Sequence, residues 1–201
     1  RLNTGCSYTD SITLRQPDSV VVAQLLPINA TCYGTSNGAL EVIPNLGTGV
    51  YSINVYNSSN VLIADTHQIL QNNSVLFSDL YADTYRVVVQ DGQCGYVDYA
   101  TITEPDIMTI SLRERLSISC KGRSDGVIEV SIEGGTAPYT IGWRDSSQTI
   151  IATNVTTLGD IAPHAYYSVS VNDVYGCGPV RDSIMLIDPD SIVTHLSVIA
   201  C

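Results

Sequence analysis

Two cysteine series run through the chain in step, and they set its organisation before any other residue is weighed. Cys32 recurs as Cys120 after 88 residues and as Cys201 after another 81, while Cys6, Cys94 and Cys177 form a second series at intervals of 88 and 83. Two interleaved series mean two cysteines per unit, and a fixed period of this kind marks an array of similar units. The residues between them keep the same frame. "CYGTSNG" at 32 to 38 and "CKGRSDG" at 120 to 126 share C-x-G-x-S-[D/N]-G, and Tyr51 and Tyr139 each follow the first cysteine by 19 residues. Tyr85 to Cys94 matches Tyr167 to Cys177 with one residue added, and each second cysteine leads through an alternating stretch to Pro-Asp. The expected organisation is the tail of one repeat at 1–18, whole repeats at 19–106 and 107–190, and the start of another at 191–201. The chain opens at "RLNTGCSY" with neither an initiator Met nor a signal peptide, so a longer precursor is expected.

Within each repeat the apolar period is two, which puts alternate side chains on one face of a half-buried strand. Ile128, Val130 and Ile132 alternate with Glu129 and Ser131, Tyr139, Ile141 and Trp143 form a second set, and Tyr85, Val87 and Val89 a third. About seven such strands per repeat, separated by Gly, Asn, Asp and Pro turns, predict an all-β chain of tandem immunoglobulin-like antiparallel sandwiches. "LYADTY" fits a tyrosine corner, in which the Tyr85 hydroxyl bonds back to the chain, and the spacing gives that role to Tyr167 in the second repeat.

Composition narrows the function classes. Nine basic against twenty acidic residues give a net charge of −11, which repels nucleic acid and anionic membrane surfaces. No apolar run approaches the roughly 20 residues of a membrane-spanning helix, so neither a nucleic-acid partner nor direct membrane insertion is expected. Six cysteines without a C-x-x-C pair point to disulfides formed in an oxidising compartment rather than to zinc.

"CKGRSDG" resembles a metal or redox fragment until it is set beside "CYGTSNG", which drops both cations and the acid. What persists suits a turn: Gly122 and Gly126 for permissive backbone angles, Ser124 and Asp125 for local hydrogen bonds, Cys120 for a covalent tie. Three pairings are open for Cys6, Cys32, Cys94, Cys120, Cys177 and Cys201. Cys32 with Cys94 and Cys120 with Cys177 would close loops of about 60 residues within a repeat, worth roughly 4 kcal/mol. An immunoglobulin-like topology opposes this, because it separates those cysteines by a strand of roughly 26 Å, whereas a disulfide spans about 4.4–6.8 Å between Cα atoms. In a linear array Cys32 could instead pair with Cys177, stapling one repeat to the next. The third arrangement joins Cys6 to Cys32, Cys94 to Cys120 and Cys177 to Cys201, and requires consecutive repeats to fold back on one another.

The combination of C-x-G-x-S-[D/N]-G, the "GGTAPYTIGW" stretch, and "YSVSVNDVYGC" resembles the SprB-type repeat of very large surface adhesins in gliding Bacteroidetes. The first repeat departs from it, with "NLGTGVYSINVY" where the double Gly, Pro and Trp stand in the second. The resemblance implies an extracellular, cell-surface filament of tandem repeats, exported by type IX secretion and used in adhesion and gliding. Its partners would be adjacent repeats of the same chain and extracellular polysaccharide or surfaces. A glycan-binding module, or an accessory module of a secreted enzyme, are the alternatives.

Other sites are weaker. His67, His164 and His195 occupy non-equivalent places without catalytic partners, so no enzymatic activity, catalytic residue or cofactor is expected, and the histidines read as solvated loop residues. Acidic groups near the repeat boundaries, Asp18, Glu104, Asp106, Asp188 and Asp190, are candidate calcium ligands, although Pro-Asp also makes an ordinary turn. Asp-Ser-aliphatic motifs at Ser11, Ser19, Ser183 and Ser191 resemble the O-glycosylation sites of Bacteroidetes. Sequons stand at Asn29, Asn57, Asn72 and Asn154. Tyr51, Tyr85, Tyr139, Tyr167 and Trp143 fall on the inward phase of their strands and read as core, leaving Tyr96, Tyr99 and Tyr175 as freer aromatics.

Overall fold

The computed structural model describes residues 5, 9–13, 21–47, 49–92 and 94–191; Cys6, Asp18, Ser19, His195 and Cys201 lie outside the described residues. Every regular element among them is a strand. The first seven are β1 (Val21–Ile28), β2 (Gly38–Asn45), β3 (Val50–Tyr56), β4 (Leu62–Leu70), β5 (Val75–Leu80), β6 (Asp83–Asp91) and β7 (Cys94–Ile102). The next seven are β8 (Thr109–Leu116), β9 (Gly126–Glu133), β10 (Thr140–Arg144), β11 (Ile150–Thr153), β12 (Thr157–Ile161), β13 (Tyr166–Asn172) and β14 (Val180–Met185). They form sheets ordered β1-β2-β5 and β4-β3-β6-β7, then β8-β9-β12 and β11-β10-β13-β14, so the same three-plus-four antiparallel sandwich is built twice.

The fourth strand pairs with the third, whereas a constant-type immunoglobulin domain carries it on the opposite sheet. A short turn accounts for this. In the first sandwich Asn57 N donates to Val61 O at 3.0 Å and the Asn57 side-chain oxygen accepts from Val61 N at 2.8 Å. In the second, Asp145 N donates to Thr149 O at 3.1 Å, and Asp145 Oδ1 accepts from Ser147 N and Thr149 N at 2.9 Å each. Asn60 and Gln148 take the left-handed conformation, φ 61° and 63°, that closes each turn. A loop this tight leaves β4 and β11 no route except beside the strand they follow.

The alternating residues supply both cores. Leu40 and Val42 of β2, Tyr51, Ile53 and Val55 of β3, and Tyr85, Val87 and Val89 of β6 are buried, as are Ile128, Val130, Ile141, Trp143, Tyr167, Val169 and Val171 at the matching places. Each such side chain contributes about 1.5–3 kcal/mol through removal from water. Trp143 replaces Val55 and satisfies its ring N–H by donating to Val155 O at 2.9 Å.

The tyrosines do more than fill space. Tyr167 Oη accepts from Ala162 N at 3.1 Å, which is the expected corner, and Tyr85 is buried at the equivalent place. A second pair was not evident from the sequence: Tyr139 Oη donates to Gly134 O at 2.7 Å, and Tyr51 Oη donates to Leu46 O. Burial, followed by the charge of Asp91, holds the Tyr51 phenol above its ordinary range.

By packing, the described chain divides into two compact units. The first takes in Val21–Ile28, Ala39–Ser78 and Asp83–Thr101; the second takes in Asn29–Gly38, Asp79–Ala82 and the chain from Ile102 onward. Both cysteine turns, and the β13–β14 turn with Cys177, belong to the second unit.

Candidate functional site

Within the second unit each C-x-G-x-S-[D/N]-G stretch is a braced turn. At Cys32, Gly34 has φ 68°, and Thr35 donates to Cys32 O through N at 3.4 Å and Oγ1 at 2.8 Å. The Asn37 side-chain oxygen accepts from Thr31 N at 3.0 Å. At Cys120, Gly122 has φ 76°, Arg123 N donates to Cys120 O at 3.1 Å, and Asp125 takes the place of Asn37 by accepting from Ser119 N at 3.0 Å and Ser119 Oγ at 2.5 Å. The Ser119 hydroxyl and amide hold the Asp125 carboxyl below its ordinary range.

Gly126 serves a different purpose from the one its sequence suggested. It has no left-handed backbone requirement; it is buried, and a Cβ there would lie 2.8 Å from Leu186 Cδ1 and 3.2 Å from Ile118 and Ile161. The frame's last glycine is therefore kept by core packing rather than by turn angles.

A carboxylate from the repeat boundary pins each turn. Glu104 Oε2 accepts from Gly34 N at 2.5 Å, and Asp188 Oδ2 accepts from Gly122 N at 2.8 Å. The Gly122 amide, then His164, keep the Asp188 carboxyl low, and His164 Nε2 stands 2.9 Å from Asp188 Oδ1. Two of the five calcium candidates thus have a structural task as acceptors of backbone N–H. Asp106 and Asp190 are exposed, and among the described residues no three His, Cys, Asp or Glu gather as a metal site.

Both described histidines are solvated as expected, and His164 lies in the loop before β13, but His67 stands on a strand and both have acidic neighbours. His164 bridges to Asp188, and His67 sits on β4, 3.2 Å from Asp65. The O-glycosylation candidates Ser11, Ser183 and Ser191 are exposed, Ser183 on β14. Asn29, Asn57 and Asn154 use their side-chain oxygens to accept from Thr103 N, Val61 N and Ile141 N at 3.0, 2.8 and 3.2 Å.

The partner of Cys32 is Cys177, with Cα atoms 5.7 Å apart and a sequence separation of 145 residues. That Cα distance falls inside the usual disulfide range. The structure therefore has the second of the three arrangements, and Cys94 and Cys120, which the within-repeat pairing would have bonded to Cys32 and Cys177, are both unpaired thiols. Strand geometry explains the choice: Cys32 opens the turn before β2, while Cys94 begins β7 after the last hairpin of its own sandwich.

The hairpin carrying Cys177 is itself organised by Asp173, which is only 3% exposed. Its Oδ1 accepts from Tyr175 N and Cys177 N at 2.9 Å each, and its Oδ2 accepts from Thr136 N at 3.1 Å. Three backbone donors on one carboxylate hold the hairpin that carries the cysteine. A cleft lined by Tyr33, Thr35, Pro105, Asp106, Met108 and Gly178 surrounds the Cys32–Cys177 bond. The site's chemistry is a covalent tie between a turn of one sequence repeat and the closing hairpin of the next.

Comparison with solved structures shows the fold. The chain is 12% identical, over 84% of its length and 58% of the other chain, to three N-terminal domains of the bacteriophage RB49 highly immunogenic outer capsid protein (Hoc), with a TM-score of 0.51. It is 15% identical to titin A168169 over 86% of this chain and 100% of that one, TM-score 0.39. It is 14% identical to a biofilm-associated protein BSP domain over 85% of this chain and 30% of that one, TM-score 0.32. No curated protein matches the chain. Residues 117–148, which carry the second cysteine turn, β9 and β10, match the SprB repeat.

Proposed function

We propose that the chain is a structural and adhesive segment of a long cell-surface adhesin, serving attachment and gliding, with tandem sandwiches as spacers and no catalytic role. The observation that carries this reading is the Cys32–Cys177 bond, which links a turn of one repeat to a hairpin of the next in a chain whose residues 117–148 match the SprB repeat. A covalent tie of that kind suits a chain loaded along its length, because pulling on it is resisted by a bond rather than by packing alone. Disulfides require an oxidising compartment, which fits an extracellular location after type IX export. Adjacent repeats and extracellular polysaccharide or other surfaces are the partners.

The test is labelling and blocking on intact cells. Fab fragments raised against the 201-residue chain should decorate surface filaments and slow both attachment to glass and gliding. Labelling only after permeabilisation, or decoration with unchanged attachment and movement, would contradict the proposal.

A second reading, as a glycan-binding module, is favoured by a groove lined by Arg144, Gln148, Tyr166, Ser168 and Arg181. Exposed Tyr166 beside two guanidinium groups offers stacking and donors together. Binding to a glycan array that is lost in Tyr166→Ala would support that reading, and an array without binding would count against it.

A further inference from the structure

The two cysteine turns share their backbone bracing, Thr35 N to Cys32 O with Asn37 on Thr31 N in one and Arg123 N to Cys120 O with Asp125 on Ser119 N in the other, but only one is occupied. Cys32 has Cys177; Cys120 is an exposed thiol. Around Cys120 lies a shallow pocket formed by Ser119, Lys121, Pro189, Asp190 and Ser191. Cys120, Lys121, Pro189 and Asp190 occupy the places that Cys32, Tyr33, Pro105 and Asp106 hold in the cleft where Cys177 sits. The carboxylate pins correspond as well, Asp188 on Gly122 for Glu104 on Gly34.

We infer that the Cys120 turn and the Pro189–Ser191 segment beside it form a receiving half-site for the closing hairpin of another copy of this repeat. This rests on the reading of the chain as a segment of a repeat array, since the occupant must be a hairpin of the Cys177 type. Such a hairpin exists a second time here. Cys94 stands where Cys177 stands, follows a buried Asp91 as Cys177 follows Asp173, precedes Gly95 as Cys177 precedes Gly178, and carries a thiol. Each copy thus presents one receiving turn and one inserting hairpin, so the contact between copies is head-to-tail rather than self-complementary.

Joining converts two thiols, Cys120 and the hairpin cysteine of the incoming copy, into one S–S bond. The two electrons and two protons pass to a small disulfide oxidant such as oxidised glutathione, whose own S–S bond breaks to give two thiols. One protein thiolate attacks the oxidant to give a mixed disulfide and release one glutathione thiolate, and the second protein thiolate then attacks the protein sulfur of that mixed disulfide and expels the other.

The test uses the full 201-residue chain with Cys6→Ser and Cys201→Ser, leaving Cys94 and Cys120 as its thiols beside the Cys32–Cys177 bond. Incubated in a glutathione redox buffer, this protein should form a covalent ladder on a non-reducing gel. Peptide mapping should find intermolecular Cys94–Cys120 links exceeding symmetric Cys94–Cys94 and Cys120–Cys120 links by about tenfold or more, the bias set by ~1.4 kcal/mol of docking. Adding Cys120→Ser, at an exposed position, should abolish the ladder while leaving Cys32–Cys177 intact. A monomer that keeps free or glutathione-capped thiols, an intramolecular Cys94–Cys120 link, or symmetric dimers as abundant as the mixed ones would each overturn the inference. No cells enter this assay, so its failure and a failure of the attachment test are read separately.

Discussion

Removing the Cys32–Cys177 bond is the perturbation whose cost the structure lets one calculate. The bond closes a loop of 145 residues, and on the loop-entropy relation that restricts the unfolded chain by about 5 kcal/mol at 25 °C. Much of that loop is the first compact unit. If that unit stays folded while the second opens, the flexible part shrinks to roughly 80 residues and the figure falls only to about 4.5 kcal/mol, because the dependence is logarithmic. The double variant Cys32→Ser/Cys177→Ser avoids leaving a lone thiol in the cleft. For a chain of this size each kcal/mol moves the midpoint by roughly 2–4 °C, so calorimetry should show a fall of about 10–20 °C. Dithiothreitol on the native protein should reproduce the fall and leave the double variant unchanged. A variant that melts within about 2 °C of the native protein would refute the reasoning, since the bond would then impose no constraint on the unfolded chain.

Trp143 has no exposed surface and donates to Val155 O, so Trp143→Ala should cost about 3–5 kcal/mol by denaturant titration; Trp143→Phe, which keeps the ring and orphans the carbonyl, should cost less. Gly134 has φ 70°, and a Cβ there would lie 2.1 Å from Ile107 O. Gly134→Ala should therefore destabilise by more than about 2 kcal/mol, whereas Leu46→Gly at the matching position, φ 61°, should be tolerated or slightly stabilising in the same titration. The carboxyls of Asp125 and Asp188 are held low by the Ser119 and Gly122 donors they accept from. A carboxyl with a lowered folded pKa stabilises fully above its unfolded value of about 3.9 and loses that contribution as pH falls through the folded value. The protection of the Ser119 and Gly122 amides relative to core amides should therefore be constant from neutrality to about pH 5, then fall below about pH 4.

Strand positions were legible because each core residue alternates with a polar one and one face is buried. Ile128, Val130 and Trp143 could be assigned to the interior on that ground alone. The pairing of β4 with β3 was hidden, since it is decided by the turns at Asn57 and Asp145, whose side chains cap their own loops. The donors to Glu104 and Asp188 were also hidden: an acid at a boundary suggests calcium equally well, and only the fold brings Gly34 and Gly122 to it. Cysteine connectivity is the clearest limit. Spacing defines two series but not which members meet, because that depends on where turns and hairpins lie in three dimensions. Strand length argued against Cys32 with Cys94, and the structure supplied Cys177 as the partner.

The central claim is that the recurring cysteine turn is tied to the hairpin of the following repeat. Alkylation of free thiols followed by non-reducing peptide mapping of the natively secreted protein tests it most directly. The account predicts one peptide pair linking Cys32 to Cys177. A Cys32–Cys94 pair together with Cys120–Cys177, or a Cys6–Cys32 pair together with Cys177–Cys201, would contradict it.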